Sequence, residues 1–243
     1  KWENAQPTFR TTARGHVALA HNGNLVNTGE LALRLQQLET GELSLGVPLQ
    51  QATSDTEVMT ALLAAGSHGT IEDAAFELLP TVQGAFSLVF MDEGTLYAAR
   101  DPLGIRPLVL GRLERGWVVA SETAALDIVG ASYVRDIAPG EMLAIDEAGL
   151  RSRRFAQPAP KHCLFEYVYL ARPDTKLDGK AVHAVRVEVG RTLAKEHPVD
   201  ADMVIPVPES GTPAAVGYAQ GSGIPFAQGL VKNAYVGRTF IQP

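Results

Sequence analysis

Residues 84–100 read GAFSLVFMDEGTLYAAR: an apolar run, a turn and a second apolar run. Gly84–Met91 and Thr95–Ala99 flank Asp92-Glu93-Gly94, the pattern of two antiparallel strands joined by a tight turn. The pattern recurs downstream. Pro107–Gly111 and Trp117–Ser121 flank Glu114-Arg115-Gly116, and Tyr133–Ile137 and Glu141–Ile145 flank Pro139-Gly140. Three such hairpin-like units predict antiparallel sheet and argue against a doubly wound parallel one. Upstream, the periodicity is helical. Thr28–Leu38 carries Leu31, Leu35 and Leu38 on one stripe. Ser54 followed by Glu57 is a capping box that opens a second helix through Val58, Leu62 and Leu63. Ile71–Leu79 is a third, stopped by Pro80. His16–Ala20 reads as a strand broken by a turn at His21-Asn22-Gly23-Asn24. Helices first and meanders later predict a layered α+β domain to about Phe155, its sheets covered by helices.

Gln157-Pro158-Ala159-Pro160-Lys161 has linker composition, and the style of the sequence changes after it. Cys163 precedes Leu164–Tyr169, which reads as an apolar strand. Asp178–His197 reads as a helix with Val182, Val185, Val189 and Leu193 on one face. Met203–Val207, a loop at Pro208–Pro213, a helix at Ala214–Gln220 and a strand at Phe226–Val231 form a βαβ pattern, which implies a parallel sheet. The expected domains are residues 1–156 and 162–243.

The chain has 243 residues, 46% hydrophobic and 20% charged, enough to build packed cores. Its net charge of −6 (21 basic, 27 acidic) leaves no basic surplus for a phosphate backbone, which excludes a nucleic-acid binder. No apolar run approaches the about eighteen residues of a membrane span. One cysteine allows no intrachain disulfide and fits a reducing, cytoplasmic setting. The sequence begins at Lys1 and stops just after an apolar stretch, so we read it as an internal fragment.

No Walker loop, dinucleotide fingerprint, nucleophile elbow or zinc-ligand spacing is present. The loop Pro208–Pro213 joins a strand end to a helix N-terminus, where free N–H groups and the helix dipole favour phosphate. Glu209 opposes a bare anion, so a metal-bridged phosphate suits it better; read alone, the stretch is equally an ordinary βα loop with Ser210 or Thr212 as a cap. At Asn22-Gly23 a side-chain amide and a backbone N–H can meet as an oxyanion hole, or the pair can serve a turn. Asp55 can hold an ammonium group or cap a helix. Cys163 can be buried packing, a nucleophile or a cluster ligand. Arg100-Asp101-Pro102 and Arg106-Pro107 read as a structural ion-pair turn, and Lys232–Thr239 as a basic loop able to close over phosphates.

Together these stretches are far more specific than any one alone. AHNGNLVN (20–27), TSDTEV (53–58), RDPLGIRPLVLG (100–111), VVASETAALDIVGA (118–131), PGEML (139–143), FEYVYLARPD (165–174), VPESGTPAAVGYA (207–219) and KNAYVGRTFIQP (232–243) resemble, in order, the amidophosphoribosyltransferases, a class II glutamine amidotransferase family. The resemblance implies an N-terminal-nucleophile hydrolase sandwich (α-β-β-α), followed by the start of an α/β type I phosphoribosyltransferase domain. It implies that an N-terminal cysteine splits glutamine. The ammonia then passes through a channel and displaces pyrophosphate from phosphoribosyl pyrophosphate. Carried onto this sequence, Asn22 and Gly23 form the oxyanion pair and Asp55 holds the glutamine ammonium. Glu209, Ser210 and Gly211 form the pyrophosphate loop, with Ser210 near Mg2+, and Lys232, Tyr235 and Arg238 belong to a loop closing over the ligand. Cys163 matches a position that ligates a 4Fe–4S cluster in some members and is an ordinary cysteine in others. The family also implies a homo-oligomer. The nucleophilic cysteine does not stand at residue 1, which is Lys.

Other readings are a different class II amidotransferase, a nucleophile-less regulatory or scaffolding paralogue, or a nucleotide-binding regulator. The second half argues against the first and the amidotransferase half against the last. Purified residues 1–243 are expected to show neither glutaminase nor phosphoribosylamine-forming activity, and a glutaminase assay on that polypeptide checks this.

Overall fold

The structure, a computed structural model, describes residues 5–12, 15–40, 54–66 and 69–237. They fall into two compact units: Lys1–Ser121 with Ala131–His162, and Glu122–Gly130 with Cys163–Pro243.

The first unit is the layered α+β sandwich that the sequence pattern implies. Its main sheet has six strands in the order β1 (Thr8–Thr12), β2 (Gly15–Leu25), β3 (Gly84–Met91), β4 (Leu96–Arg100), β8 (Glu141–Asp146) and β9 (Gly149–Arg154). A second sheet has the order β6 (Gly116–Ala120), β5 (Val109–Leu113), β7 (Ser132–Asp136). All pairings in both sheets are antiparallel. Strand alternation splits the main sheet between two cores. Phe86, Leu88 and Phe90 of β3, Tyr97 and Ala99 of β4 and Met142 and Ala144 of β8 pack on the helix side. There they meet α1 (Thr28–Thr40), α2 (Asp55–Ala65) and α3 (Ile71–Leu78). Ala98, Leu143, Val89 and Ile145 point the other way, against Leu110 of the second sheet and Leu108 and Ile137, which adjoin its strands. A sheet buried on both faces explains why residues 84–91 run almost continuously apolar rather than alternating with polar ones.

The Ser54 cap forms as expected: its hydroxyl accepts from Glu57 N–H at 3.2 Å. Thr70 caps α3 in the same way, and Leu79–Thr81 closes that helix as a 3-10 turn around Pro80.

Two sequence expectations change here. Tyr133–Ile137 and Glu141–Ile145 are not a hairpin: β7 pairs with β5 and β8 pairs with β4, so Pro139-Gly140 carries the chain from one sheet to the other. Gly140 holds that crossing with φ 74°. Its N–H donates to the carbonyls of Arg100 and Asp101, and its own carbonyl accepts from Phe155. The expected Arg100–Asp101 ion-pair turn is closed by charge-to-backbone bonds instead. The Arg100 guanidinium donates to the carbonyls of Arg106, Gly104 and Ile137. Asp101, fully buried, accepts from the N–H groups of Phe86, Leu103 and Ile105, and burial raises its pKa. The proline-rich stretch is also tied down, since Ala159 and Lys161 N–H donate to the carbonyls of Pro102 and Leu103.

In the second unit, Cys163 precedes a helical segment that starts at Leu164 and continues as a π-helical turn at Glu166–Leu170, not the strand its apolar composition suggests. The buried Arg186 decides this by donating to the carbonyls of Tyr167 and Ala171. Asp178 and Gly179, both at positive φ, turn a small hairpin between β10 (Lys176–Leu177) and β11 (Lys180–Ala181), so the long helix α5 starts only at Val182 and runs to Glu196. Its buried face is Val182, Arg186, Gly190 and Ala194, whereas Val189 and Leu193 are exposed. The seam with α6 (Thr212–Ser222) is built on glycine. A Cβ on Gly190 would strike the Ala214 carbonyl, and one on Gly217 the Val187 carbonyl. Around α6 the expected βαβ order is present, its parallel pairing reduced to one bridge, Val204 with Phe226. α4 (Thr123–Ile128) also belongs to this unit: Glu122, just before it, accepts from Arg172 N–H and the Thr175 hydroxyl. No helix among the described residues is long and apolar enough to cross a membrane.

The two sheets of the first unit are clamped by Glu141 of β8. Arg135 of β7 forks onto both carboxylate oxygens at 2.8 and 2.6 Å, and Ala138 N–H and the Ser152 hydroxyl add to it. Burial alone would raise the pKa of Glu141, but these donors outweigh it and hold it below the usual carboxylate value. The folded state thus prefers the ionised form. That contribution is complete above the unfolded pKa of about 4.3 and is lost as pH falls through the lower folded value. Glu141→Gln is expected to lose about 1–3 kcal/mol at neutral pH and to show a shallower loss of stability on acidification. Urea denaturation between neutral pH and about pH 3 checks both.

Candidate active site

The stretch His21–Asn24 was expected to be a turn; the structure makes it the second half of strand β2. Asn22 lies opposite Ser87 of β3 and Gly23 opposite Phe86, so the ladder runs through the Asn-Gly pair without a break. Gly23 is needed for close approach: with φ 157°, a Cβ there would overlap the Ala85 carbonyl of β3.

β2 outruns its outer partner. β1 covers Gly15–Leu19 only. Beyond that, every second N–H of β2 points to an edge that no other strand among the described residues covers. His21 N–H donates to the side-chain carbonyl of Gln6 at 2.6 Å, and Leu25 N–H donates to Asp55 Oδ2 at 3.3 Å. Phe86 turns both its N–H and its carbonyl toward Asp101 on the far side, so the N–H of Gly23 faces the open edge, between those of His21 and Leu25. The carboxylate of Asp55 thus stands at one end of a short row of strand donors. Asp55 also accepts from its neighbour Thr56 N–H at 2.8 Å, while the capping role falls to Ser54.

Asn22 points to the opposite face of β2 from His21, as alternation requires. The His21 side chain is 2% exposed, with Nδ1 3.5 Å from Asp55 Oδ2. Asn22 faces the second sheet. Its Nδ2 donates to the Ser121 hydroxyl at 3.3 Å, and its Oδ1 accepts from Arg106 Nε and Nη2 at 3.1 and 3.0 Å. The sequence reading singled out Asn22, Gly23 and Asp55. It missed Gln6, His21 and Ser121 and read Arg106 as part of a structural turn. The structure brings Asp55 beside the Gly23 edge and sets the Asn22 amide one residue away on the other face.

In the second unit, Gly211 N–H donates back to the Val207 carbonyl and Thr212 N–H to that of Glu209, so two of the loop's N–H groups are used within it. The Pro208–Glu209 peptide is cis. A Cβ on Gly211 would come within 2.8 Å of the Val207 carbonyl oxygen. The exposed Glu209 carboxylate meets Lys232 Nζ at 3.3 Å. Tyr235 is 99% exposed and makes no part of this pairing; Arg238 lies outside the described residues. Ser210 offers one hydroxyl beside Glu209, a donor set that fits a magnesium ion held mainly by substrate phosphates. A 4Fe–4S cluster takes four thiolates. Cys163 is the one cysteine of the chain, and no group of three or more His, Cys, Asp or Glu among the described residues converges as a metal site.

Residues 2–128 match the glutamine amidotransferase domain family. This chain belongs to that family. The amidophosphoribosyltransferase of Mycobacterium tuberculosis is 68% identical over 244 residues, covering 100% of this chain and 46% of that protein. That of Bacillus subtilis is 46% identical over 244 residues, covering 100% and 50%. The solved structure of glutamine phosphoribosylpyrophosphate amidotransferase from B. subtilis complexed with ADP and GMP superposes with a TM-score of 0.89 at 44% identity, over 100% of this chain and 52% of that one. The chain spans about half the length of the curated relatives it matches. The amidotransferase fold expected from the motifs is the fold observed.

In this amidotransferase unit, Gly23→Ala is expected to cost about 1–3 kcal/mol by forcing β2 from β3. Asn24→Ala removes only a 3.4 Å bond to the Leu25 carbonyl and should change stability by less than ~0.5 kcal/mol. Chemical denaturation of both variants checks the contrast.

Proposed function

We propose that this chain is a fragment of an amidophosphoribosyltransferase, and that the activity belongs to the full-length enzyme. It hydrolyses glutamine to glutamate and ammonia, and the ammonia displaces pyrophosphate from phosphoribosyl pyrophosphate to give 5-phosphoribosylamine. The observation that carries this reading is the open edge of β2, where the Gly23 N–H faces outward beside the Asp55 carboxylate. Extended substrates dock on such edges through main-chain hydrogen bonds.

In this reading the α-ammonium of glutamine pairs with Asp55. The attacking thiolate would be the N-terminal cysteine that the resemblance implies, which is not among residues 1–243. Its addition to the amide carbon gathers negative charge on the amide oxygen, ammonia leaves, and water hydrolyses the thioester to glutamate. The Gly23 N–H and the Asn22 amide stabilise that charge. Both belong to one strand pinned by β3, so they need little reorganisation as the charge develops. The second half-reaction is supported by the resemblance of Glu209, Ser210 and Gly211 to a pyrophosphate loop. There the exchange of Lys232 from Glu209 to a phosphate oxygen would free the carboxylate to face a magnesium ion. Lys232, Tyr235 and Arg238 would then close over the ligand. The reading also places the protein in the cytoplasm.

In the full-length protein, Asp55→Asn is expected to weaken glutamine use by about tenfold or more, the loss of a charge-assisted contact of ~1.5–3 kcal/mol. The reaction fed by free ammonia should keep its rate. Parallel assays with the two nitrogen donors check this, and equal loss of both activities would overturn it.

A further inference from the structure

We propose that Arg106 is a positioning residue for glutamine hydrolysis. By gripping the side-chain oxygen of Asn22, it makes the NH2 end of the amide the one presented to the developing oxyanion. The inference rests on the reading of Asn22 as an oxyanion donor.

An asparagine amide is nearly symmetric in shape, so packing alone does not choose between its two orientations. Only the charges around it can. Arg106 places two donors, Nε at 3.1 Å and Nη2 at 3.0 Å, on the single oxygen Oδ1. A flipped amide would set its own NH2 against both, donor facing donor, beside a permanent positive charge. The other partner does not discriminate: the Ser121 hydroxyl, 3.3 Å from Nδ2, can donate or accept. Arg106 therefore decides the orientation. It leaves Nδ2 with one N–H on Ser121 and a second free to point at substrate. A cation on the carbonyl end also polarises the amide and makes that N–H a stronger donor.

Arg106 is itself held in place through its backbone. Its carbonyl accepts from Arg100 Nε at 2.8 Å and from the Ser87 hydroxyl at 3.2 Å. Ser87 lies directly opposite Asn22 on β3. The turn from Arg100 to Arg106 thus serves a purpose beyond local folding: it carries a guanidinium to the back of the amide.

The test is a double-mutant cycle in the full-length protein, with glutamine- and ammonia-dependent activities measured side by side. Arg106→Met should lower kcat with glutamine by about 10²-fold, the usual effect of losing one oxyanion donor, with little change in KM for glutamine. Retained ammonia-dependent activity in the same preparation shows that the variant is folded. Asn22→Ala should lose a similar factor, and the double variant should be no worse than Asn22→Ala alone. Arg106→Lys, which keeps the charge but cannot fork, should recover part of the rate. If Arg106→Met costs the same factor in the Asn22→Ala background, or removes both activities together, Arg106 does not act through Asn22 and the inference falls while the reading of Asn22 stands. If Asn22→Ala leaves glutamine hydrolysis intact, the reading of Asn22 falls first.

Discussion

Strand β2 has eleven residues and β1 covers only the first five, and the site proposed for the amidotransferase unit is built on the edge this leaves. A strand edge is normally a liability, because its unpaired N–H and carbonyl groups invite association. Here the exposed stretch is short and two of its three edge donors are taken within the protein. Gln6 takes the N–H of His21, Asp55 takes that of Leu25, and the one between them, on Gly23, faces outward. Alternation does the remaining sorting. It sends His21 toward Asp55 and Asn22 toward the second sheet, so one strand supplies backbone donors at its edge and a side-chain amide on its face.

That arrangement needs a stiff backing, which the middle sheet provides by being buried on both sides. Polar groups inside such a layer must be satisfied within the protein. Arg100 and Asp101 are both buried, yet each spends its charge on main-chain groups, three carbonyls for one and three N–H groups for the other. Burial raises the pKa of Asp101, so the interior disfavours its charge and the three N–H donors offset only part of the water it gives up. The return is geometric: the turn between these residues and Arg106 has one conformation. Glu141 plays the same part between the sheets, where the Arg135 fork fixes β7 against β8.

The second unit follows a different logic. Its two long helices meet on glycine, and the approach is so close that neither Gly190 nor Gly217 has room for a Cβ. Close helix packing leaves the larger apolar side chains, Val189 and Leu193, outside the seam. The loop Pro208–Gly211 sits between a strand end and the N-terminus of α6, a place that suits phosphate, but it turns two of its own N–H groups inward and pairs its exposed carboxylate with Lys232.

The sequence by itself determined the element types wherever one period dominated. The antiparallel runs at 84–100, the capped helix at Ser54, and the order of motifs that names the family were all legible there, because hydrophobic period and caps are local properties. It also pointed to Asn22, Gly23 and Asp55. Only the tertiary structure decided what those residues face. Asn-Gly is a turn by local preference, yet β3 pairs across it and keeps it extended. Pro139-Gly140 reads as a hairpin, yet its two flanks belong to different sheets. The run after Cys163 reads as a strand, yet Arg186, far along the chain, caps it as a helical turn. Arg106 reads as a turn residue, yet it grips an amide 84 positions away. In each case the deciding partner is distant in sequence, and no local pattern encodes a contact whose other half lies on another strand or helix.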